Sequence, residues 1–253
     1  MDLGLSGKKA LITGATRGIG RAIANLLADE GVDLAICSRN QAEVDSAVSE
    51  LRKKGVEVTG AVVDVADKAA YQSWIKSAGD TLGGIDIFVP NVSAGGGNMS
   101  EEGWENNFNV DLLGTTRGVE AVMPFLEKSK AASIVIISST AGVETFMGPQ
   151  PYNAIKGALV IHAKQLSQAL APQGIRVNCV SPGPVFIEGG AWEFIKNNMA
   201  ELYDSTLAAI PRGSMGSAEE VANAVAFLAS PAASLITGVN LVADGGFTKR
   251  VQL

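Results

Sequence analysis

The sequence predicts an α/β protein built on a doubly wound parallel sheet, with helices on both faces and a small helical lid. Three observations point there. Short β-branched runs alternate with longer segments of helical period from end to end, with no internal repeat, low-complexity tract or Pro/Ser-rich linker between them. Apolar residues make up 47% of the chain and charged residues 18%, which suits strands buried on both faces. The turn after the first strand carries Gly14, Gly18 and Gly20 and opens directly into a helix, an arrangement suited to a bound phosphate.

At 253 residues the chain is expected to form one domain over 1–253, with a first half of about 7–130, a second of about 131–253 and a lid at about 186–215. A net charge of −6 argues against broad electrostatic binding to nucleic acid or an anionic membrane. No apolar run approaches the ~20 residues of a membrane span. Met1-Asp2-Leu3 shows no basic segment ahead of an apolar one, so the cytoplasm is the expected address. Cys37 and Cys179 lie in apolar strand-like segments and read as small buried hydrophobes that need no disulfide. With one histidine, His162, and two distant cysteines, no metal site is expected.

The elements follow in order. Residues 10–13 read as the first strand and 19–28 as the helix after the glycine turn. A second strand, 33–37, ends at Ser38-Arg39; a third, 57–65, closes on Asp64-Val65; a fourth, 86–89, leads into Pro90-Asn91-Val92-Ser93 and a flexible Gly-rich loop. Residues 104–127 read as one long helix, broken near Gly114 and stopped around Met123-Pro124. Strand 132–137 precedes Ser139, and a helix over 153–170 carries Ala154, Ala158, Ile161 and Gln165 along one face. Strand 175–180 leads into Ser181-Pro182-Gly183-Pro184-Val185. Two short helices with Trp192, Phe194, Ile195, Met199, Leu202, Tyr203 and Leu207 form the lid. A helix over 218–228 starts after Ser217, and the last strand, 235–243, closes on Asp244-Gly245-Gly246.

Ser139, Tyr152 and Lys156 carry the chemistry. Tyr152 and Lys156 stand four residues apart on a helix and so share a face, while Ser139 sits where a strand ends. A free tyrosine ionises near pH 10. A neighbouring ammonium favours its phenolate and brings it toward the range of a general acid–base group. Taken alone, Tyr-x-x-x-Lys marks no more than a solvated helix face. With a strand-end serine and an upstream glycine turn, it reads as a site for protonating a carbonyl oxygen.

The run Thr13-Gly-Ala-Thr-Arg-Gly-Ile-Gly20, Ser139, Tyr152-x-x-x-Lys156 and Pro182-Gly183 resembles the short-chain dehydrogenase/reductase family, and the resemblance spans Gly7 to Phe247. It implies a Rossmann fold and a nicotinamide dinucleotide held by Gly14, Thr16, Arg17, Gly18, Ile19 and Gly20. By the same resemblance Ser38 and Arg39 meet the adenosine ribose, and Asp64 and Val65 the adenine. Asn91, Tyr152, Lys156, Pro182, Gly183 and Val185 line the rest of the cofactor. No acid follows the second strand, and Arg17 and Arg39 suit a 2′-phosphate, which implies NADP(H). Ser139 would polarise the carbonyl, Tyr152 protonate it and Lys156 hold the ribose hydroxyls.

The chain departs from the family in three places. Only Asn91 matches the usual Asn-Asn-Ala-Gly loop. Ile187 stands where a threonine is common. Asp111 replaces an asparagine 28 residues before the serine, read either as a structural stand-in or as a group that alters proton transfer. The expected activity is an NADPH-dependent ketone reductase, reversible as an alcohol dehydrogenase, on a small apolar, cyclic or aromatic substrate. A 3-oxoacyl carrier-protein reductase is the alternative; Gln173 stands where its docking cation is expected, though Lys128 and Lys130 remain. A non-catalytic NADP-binding protein is the alternative of another class. The resemblance also implies a homotetramer, formed through the helices of Asp111 and Tyr152 and the last strand.

Overall fold

In the computed structural model, which describes residues 2–251, strand and helix alternate along the chain: β1 (Lys9–Thr13), α1 (Gly18–Asp29), β2 (Asp33–Ser38), α2 (Gln41–Arg52), β3 (Val58–Val62), α3 (Lys68–Leu82) and β4 (Ile87–Val89). Helix α4 (Glu101–Asn107) runs through a π-helical segment (Phe108–Leu113) into α5 (Gly114–Leu126). Then come β5 (Ser133–Ile137), α6 (Pro151–Leu170), β6 (Arg176–Pro182), α7 (Ala191–Asn198), α8 (Ala200–Ala209), α9 (Ala218–Ala229) and β7 (Asn240–Ala243). The strands form one sheet in the order β3-β2-β1-β4-β5-β6-β7, and every pairing is parallel. The order reverses direction between β1 and β4, which opens a crevice at their carboxyl ends.

Alternation along the strands sorts side chains between two cores. Ala10, Ile12, Leu34, Ile36, Val135 and Ile137 face α1, α2 and α9. Leu11, Ala35, Cys37, Ile134 and Ile136 face α3, α5 and α6. Each fully buried aliphatic side chain contributes roughly 1.5–3 kcal/mol, so a one-residue slip of any central strand would be severely destabilising. Both cysteines are free and buried, and burial pushes each thiol up to about 12.

Several boundaries differ from the sequence expectation. The third strand stops at Val62, because its partner β2 ends at Ser38; Val63 and Val65 are apolar through burial outside the ladder. The last strand is confined to Asn240–Ala243: Leu235 is 96% exposed, and Gly238, at φ +76°, breaks the extended run. Helix α4 begins earlier than expected, at Glu101, capped by Ser100. Helix α5 continues past Pro124 to Leu126, because a proline in the last turn removes one bond rather than a ladder. Helix α6 starts two residues earlier, at Pro151, whose fixed φ suits a first helical position. Its face bearing Ala154, Ile161 and Gln165 points outward, with Ile161 63% exposed, and the core face is Ile155, Leu159, Ala163 and Leu170.

Candidate active site

The glycine turn joins β1 to α1 over the crevice. Gly18 has φ +57°, a left-handed conformation that glycine adopts freely. Gly20 has no room for a side chain, since a Cβ there would lie 2.2 Å from the Gly14 carbonyl oxygen and 2.5 Å from the Asn91 amide nitrogen. Asn91 holds the turn from β4: its side-chain amide donates to the carbonyls of Thr13 and Gly14, both at 3.1 Å, and its backbone N–H donates to the Thr13 hydroxyl at 3.0 Å. A sequence reading that gave Asn91 to the cofactor missed this bracing role.

Below the turn lies a groove of about 560 Å³. Gly14, Thr16, Arg17, Gly18, Ile19, Gly20, Ser38, Arg39, Asp64, Val65 and Asn91 all line it. Neither Arg17 nor Arg39 forms an ion pair among the described residues. The Thr16 hydroxyl donates to the Glu43 carboxylate of α2 at 2.9 Å, and Glu43 itself does not line the groove. Close backbone approach, the N-terminus of α1 and two uncommitted guanidinium groups fit a phosphorylated dinucleotide. Ile187 packs over Gly18, apolar as the sequence indicated.

The groove runs into a second cavity of about 690 Å³, and Ser93, Gly189, Gly190 and Ala191 line both. Ser139 and Tyr152 open onto this cavity. Ser139 begins the short turn after β5, and its oxygen accepts from the Ala141 N–H at 3.2 Å. Its own proton is therefore available to donate. Tyr152 sits in the first turn of α6, and the Lys156 Nζ lies 5.5 Å from the centre of its ring. Lys156 is buried behind it, 2% exposed, donating to the Ile137 carbonyl at 3.2 Å and lying 3.0 Å from Asp111 Oδ1. Burial alone would lower the lysine pKa; the charge of Asp111, with Tyr152 and Cys179, raises it instead. The ammonium thus stays protonated beside the phenol.

Pro182 ends β6 and is buried, and Gly183 borders the second cavity. Asp244 abuts Gly183 so closely that a Cβ there would meet its Cβ at 2.5 Å. Val185 is buried and paired with Gly216, and it lines neither cavity, although its neighbour Pro184 lines the second.

The rest of the second cavity is aromatic and aliphatic. Trp192, Phe194 and Ile195 come from α7, Met199 from its junction with α8, and Phe146 from the loop after Ser139. Phe247 comes from the C-terminal tail and meets Phe146 edge-on at 5.6 Å, while Phe146 lies 6.1 Å from Trp192. The chain of contacts continues from Trp192 to Tyr203 and from Tyr203 to Phe186, each pair 6.5 Å apart. Leu202 and Leu207, also assigned to the lid from sequence, do not reach the lining. Phe247, Gln150 and Asn153 line it without having been anticipated. Among the described residues no group of His, Cys, Asp or Glu could hold a metal ion, and no helix is long and apolar enough to cross a membrane.

A parallel sheet wound both ways, with a strand-end hydroxyl and a Tyr–Lys helix pair at its carboxyl edge, is the hallmark of the short-chain dehydrogenases/reductases. The chain belongs to this family, and the class it enters is that of the oxidoreductases. The family described as enoyl-(acyl carrier protein) reductase matches over residues 14–248. Isoepoxydon dehydrogenase of Penicillium expansum is 38% identical over 250 residues, covering 97% of this chain and 96% of that protein. Dehydrogenase/reductase SDR family member 4 of Homo sapiens is 37% identical over 252 residues, covering 98% and 90%. The crystal structure of L-sorbose reductase from Gluconobacter frateurii, complexed with NADPH and L-sorbose, superposes with a TM-score of 0.92 at 30% identity, covering 99% of this chain and all of that one.

Proposed function

We propose that the protein is an NADP(H)-dependent ketone reductase, reversible as an alcohol dehydrogenase, acting on a small cyclic or aromatic substrate. The observation that carries the reading is the junction of the two cavities: Ser139 and Tyr152 open onto the second cavity where it meets the groove, with Lys156 buried behind them. Bound in the groove, the dinucleotide supplies the hydride. Arg17 and Arg39 pair with its 2′-phosphate, as two forked cations do with a dianion, and Lys156 holds its ribose hydroxyls. Ser139 donates to the carbonyl oxygen and polarises it. Tyr152 delivers the proton to that oxygen, and the Lys156 ammonium offsets the charge left on the phenol. The NADPH in the sorbose reductase structure supports the cofactor assignment.

The aromatic wall supports a flat, apolar substrate, because rings favour edge and offset contacts with rings. A carrier-protein substrate fits less well. Lys128 and Lys130 line a cleft with Lys8 and Lys9 at the amino ends of β1 and β5. Five-residue strands separate those ends from the cavity by roughly 15 Å. The outward face of α6, with Ala154 and Ile161, suits a packing partner and supports the tetramer. The test is NADPH oxidation against cyclic and aryl ketones, a 3-oxoacyl thioester and an enoyl thioester. Turnover of the ketones alone is expected; turnover of either thioester above the ketones would overturn the substrate assignment.

A further inference from the structure

Ser93, Gly189, Gly190 and Ala191 line both the groove and the second cavity, and of these four Ser93 alone has a side chain that can hydrogen-bond. The usual Asn-Asn-Ala-Gly loop has glycine at its position, so the hydroxyl is an addition of this chain. Ser93 and Ser139 follow the carboxyl ends of β4 and β5, which pair side by side in the sheet. The two hydroxyls are wired alike. The Ser93 oxygen accepts the Gly95 N–H at 3.1 Å, as the Ser139 oxygen accepts the Ala141 N–H at 3.2 Å. Each is thus fixed by a backbone amide two residues on, and no described residue accepts either hydroxyl proton. The amides nearby are turned to the main chain: Gln150 donates to the Met147 carbonyl at 3.1 Å, and Asn153 to the Phe146 and Gly148 carbonyls at 2.8 and 3.1 Å. Among the described residues, no acid, lysine, arginine or histidine lines the second cavity.

We propose that Ser93 is a specificity-determining residue that donates a hydrogen bond to an uncharged oxygen on the carbon next to the substrate carbonyl. The preferred ketone is then α-oxygenated, with a hydroxyl or ether oxygen beside the C=O group. This rests on the proposed function, which puts the carbonyl carbon at the junction and its oxygen against Ser139 and Tyr152. With the carbonyl oxygen taken by those two groups, a third hydroxyl at the junction meets a substituent one carbon away. The lining selects a neutral oxygen, because a carboxylate or phosphate enclosed there without a charged partner is costly. The aromatic wall takes the ring of the substrate, and Ser93 takes the one polar group that the ring carries.

NADPH oxidation by 2-methoxycyclohexanone and by 2-ethylcyclohexanone tests this, because the two differ only by an oxygen in place of a methylene. The α-oxygen activates the carbonyl whatever the protein, so the readout is the change in the ratio of the two kcat/KM values. In Ser93→Ala that ratio is expected to fall about fivefold, the loss of one neutral hydrogen bond. An unchanged ratio would overturn the proposal. A loss of NADPH affinity as large as the fall in rate would instead give the hydroxyl to the cofactor, and would overturn it too. 4-Methoxycyclohexanone carries the same oxygen away from the carbonyl, and an equal response of both methoxy ketones would also count against the assignment. Ser93 is exposed, so its replacement does not threaten the fold. Ser93→Thr keeps the hydroxyl and should keep the ratio; a ratio as low as that of Ser93→Ala would rule out the donor role. A wild type that reduces none of these ketones would refute the proposed function, and binding then decides the inference. By calorimetry, the enzyme–NADP⁺ complex (or the free enzyme, where NADP⁺ does not bind) should hold the 2-methoxy ketone about fivefold more tightly than the 2-ethyl ketone. Ser93→Ala should bind the two alike, and any other pattern would overturn the proposal.

Discussion

The two cavities are built in opposite ways. The groove is built chiefly on a turn of glycines, braced by Asn91 and flanked by the ends of β2, β3 and β4, with residues 187–191 across it. The second cavity is made of side chains drawn from the loop after β4, the Ser139–Tyr152 segment, the lid helices and the C-terminal tail. A backbone site tolerates little change in shape, because a Cβ at Gly20 has nowhere to go. A side-chain cavity can be recut one ring at a time. The difference teaches that the groove holds the constant part of the chemistry and the aromatic cavity its variable part.

The largest expected effect falls where the two regions meet. Tyr152→Phe keeps the ring beside Lys156 and removes only the proton. Turnover should fall by roughly 10²–10⁴-fold, the usual contribution of general acid catalysis, while NADPH affinity stays within about twofold. Steady-state rates and a binding titration check both halves. A variant that reduces ketones at the normal rate would mean that proton delivery does not belong to this junction.

Arg39→Ala tests the groove side. Arg39 is solvent-exposed, so its pairing with a 2′-phosphate falls near the low end for a charge-assisted contact, about 1–1.5 kcal/mol. The ratio of NADPH to NADH affinities should drop roughly 5–10-fold, with ketone KM unaffected. Phe247→Ala tests the other side. It removes one edge-on aromatic pair, worth about 0.5–1.5 kcal/mol. The KM for a bulky ketone should rise roughly 3–10-fold and cofactor affinity should hold. If either variant moved both parameters together, the two regions would not be separable.

The same contrast explains what could be read from the sequence. Strand alternation, the glycine turn and the Tyr–Lys spacing are local patterns, and the sheet, the groove and the nearness of Lys156 to Tyr152 follow them closely. Phe247 was not legible as a cavity residue, because it reaches Phe146 only after the chain has closed the sheet at β7. Gln150 escaped for a similar reason: its role is to accept the Gly97 N–H at 2.8 Å across a long sequence gap. Asp111 stood out as a departure, but its contacts with Lys156 and the Ala94 N–H depend on the π-helical segment that turns it toward both. Element ends erred where apolar residues were buried without pairing, as at Val63 and Val65.

The smallest effect concerns the turn that carries Phe247 into the cavity. Asp244 accepts the Gly246 N–H at 2.9 Å, the Thr248 N–H at 2.8 Å and the Thr248 hydroxyl at 2.7 Å. Burial would raise its pKa, but these hydrogen bonds, led by those from Thr248, outweigh it and hold the carboxyl below the usual 3.8. A lowered carboxylate pKa adds stability that is fully present above the unfolded value and lost as pH falls through the folded one. Asp244→Asn should therefore lower stability at pH 7 by about 0.5–1 kcal/mol, after allowance for solvent screening of a partly buried group. In a chain of this size that is about 1–4 °C in Tm. The gap between wild type and variant should stay constant from pH 7 down to about 5 and close below about 4. Thermal unfolding of both proteins across pH 3–7 measures it. A gap that persists unchanged at pH 3 would mean that the tail is held by packing rather than by the ionised carboxylate. Phe247 would then owe its place in the cavity to Phe146 alone.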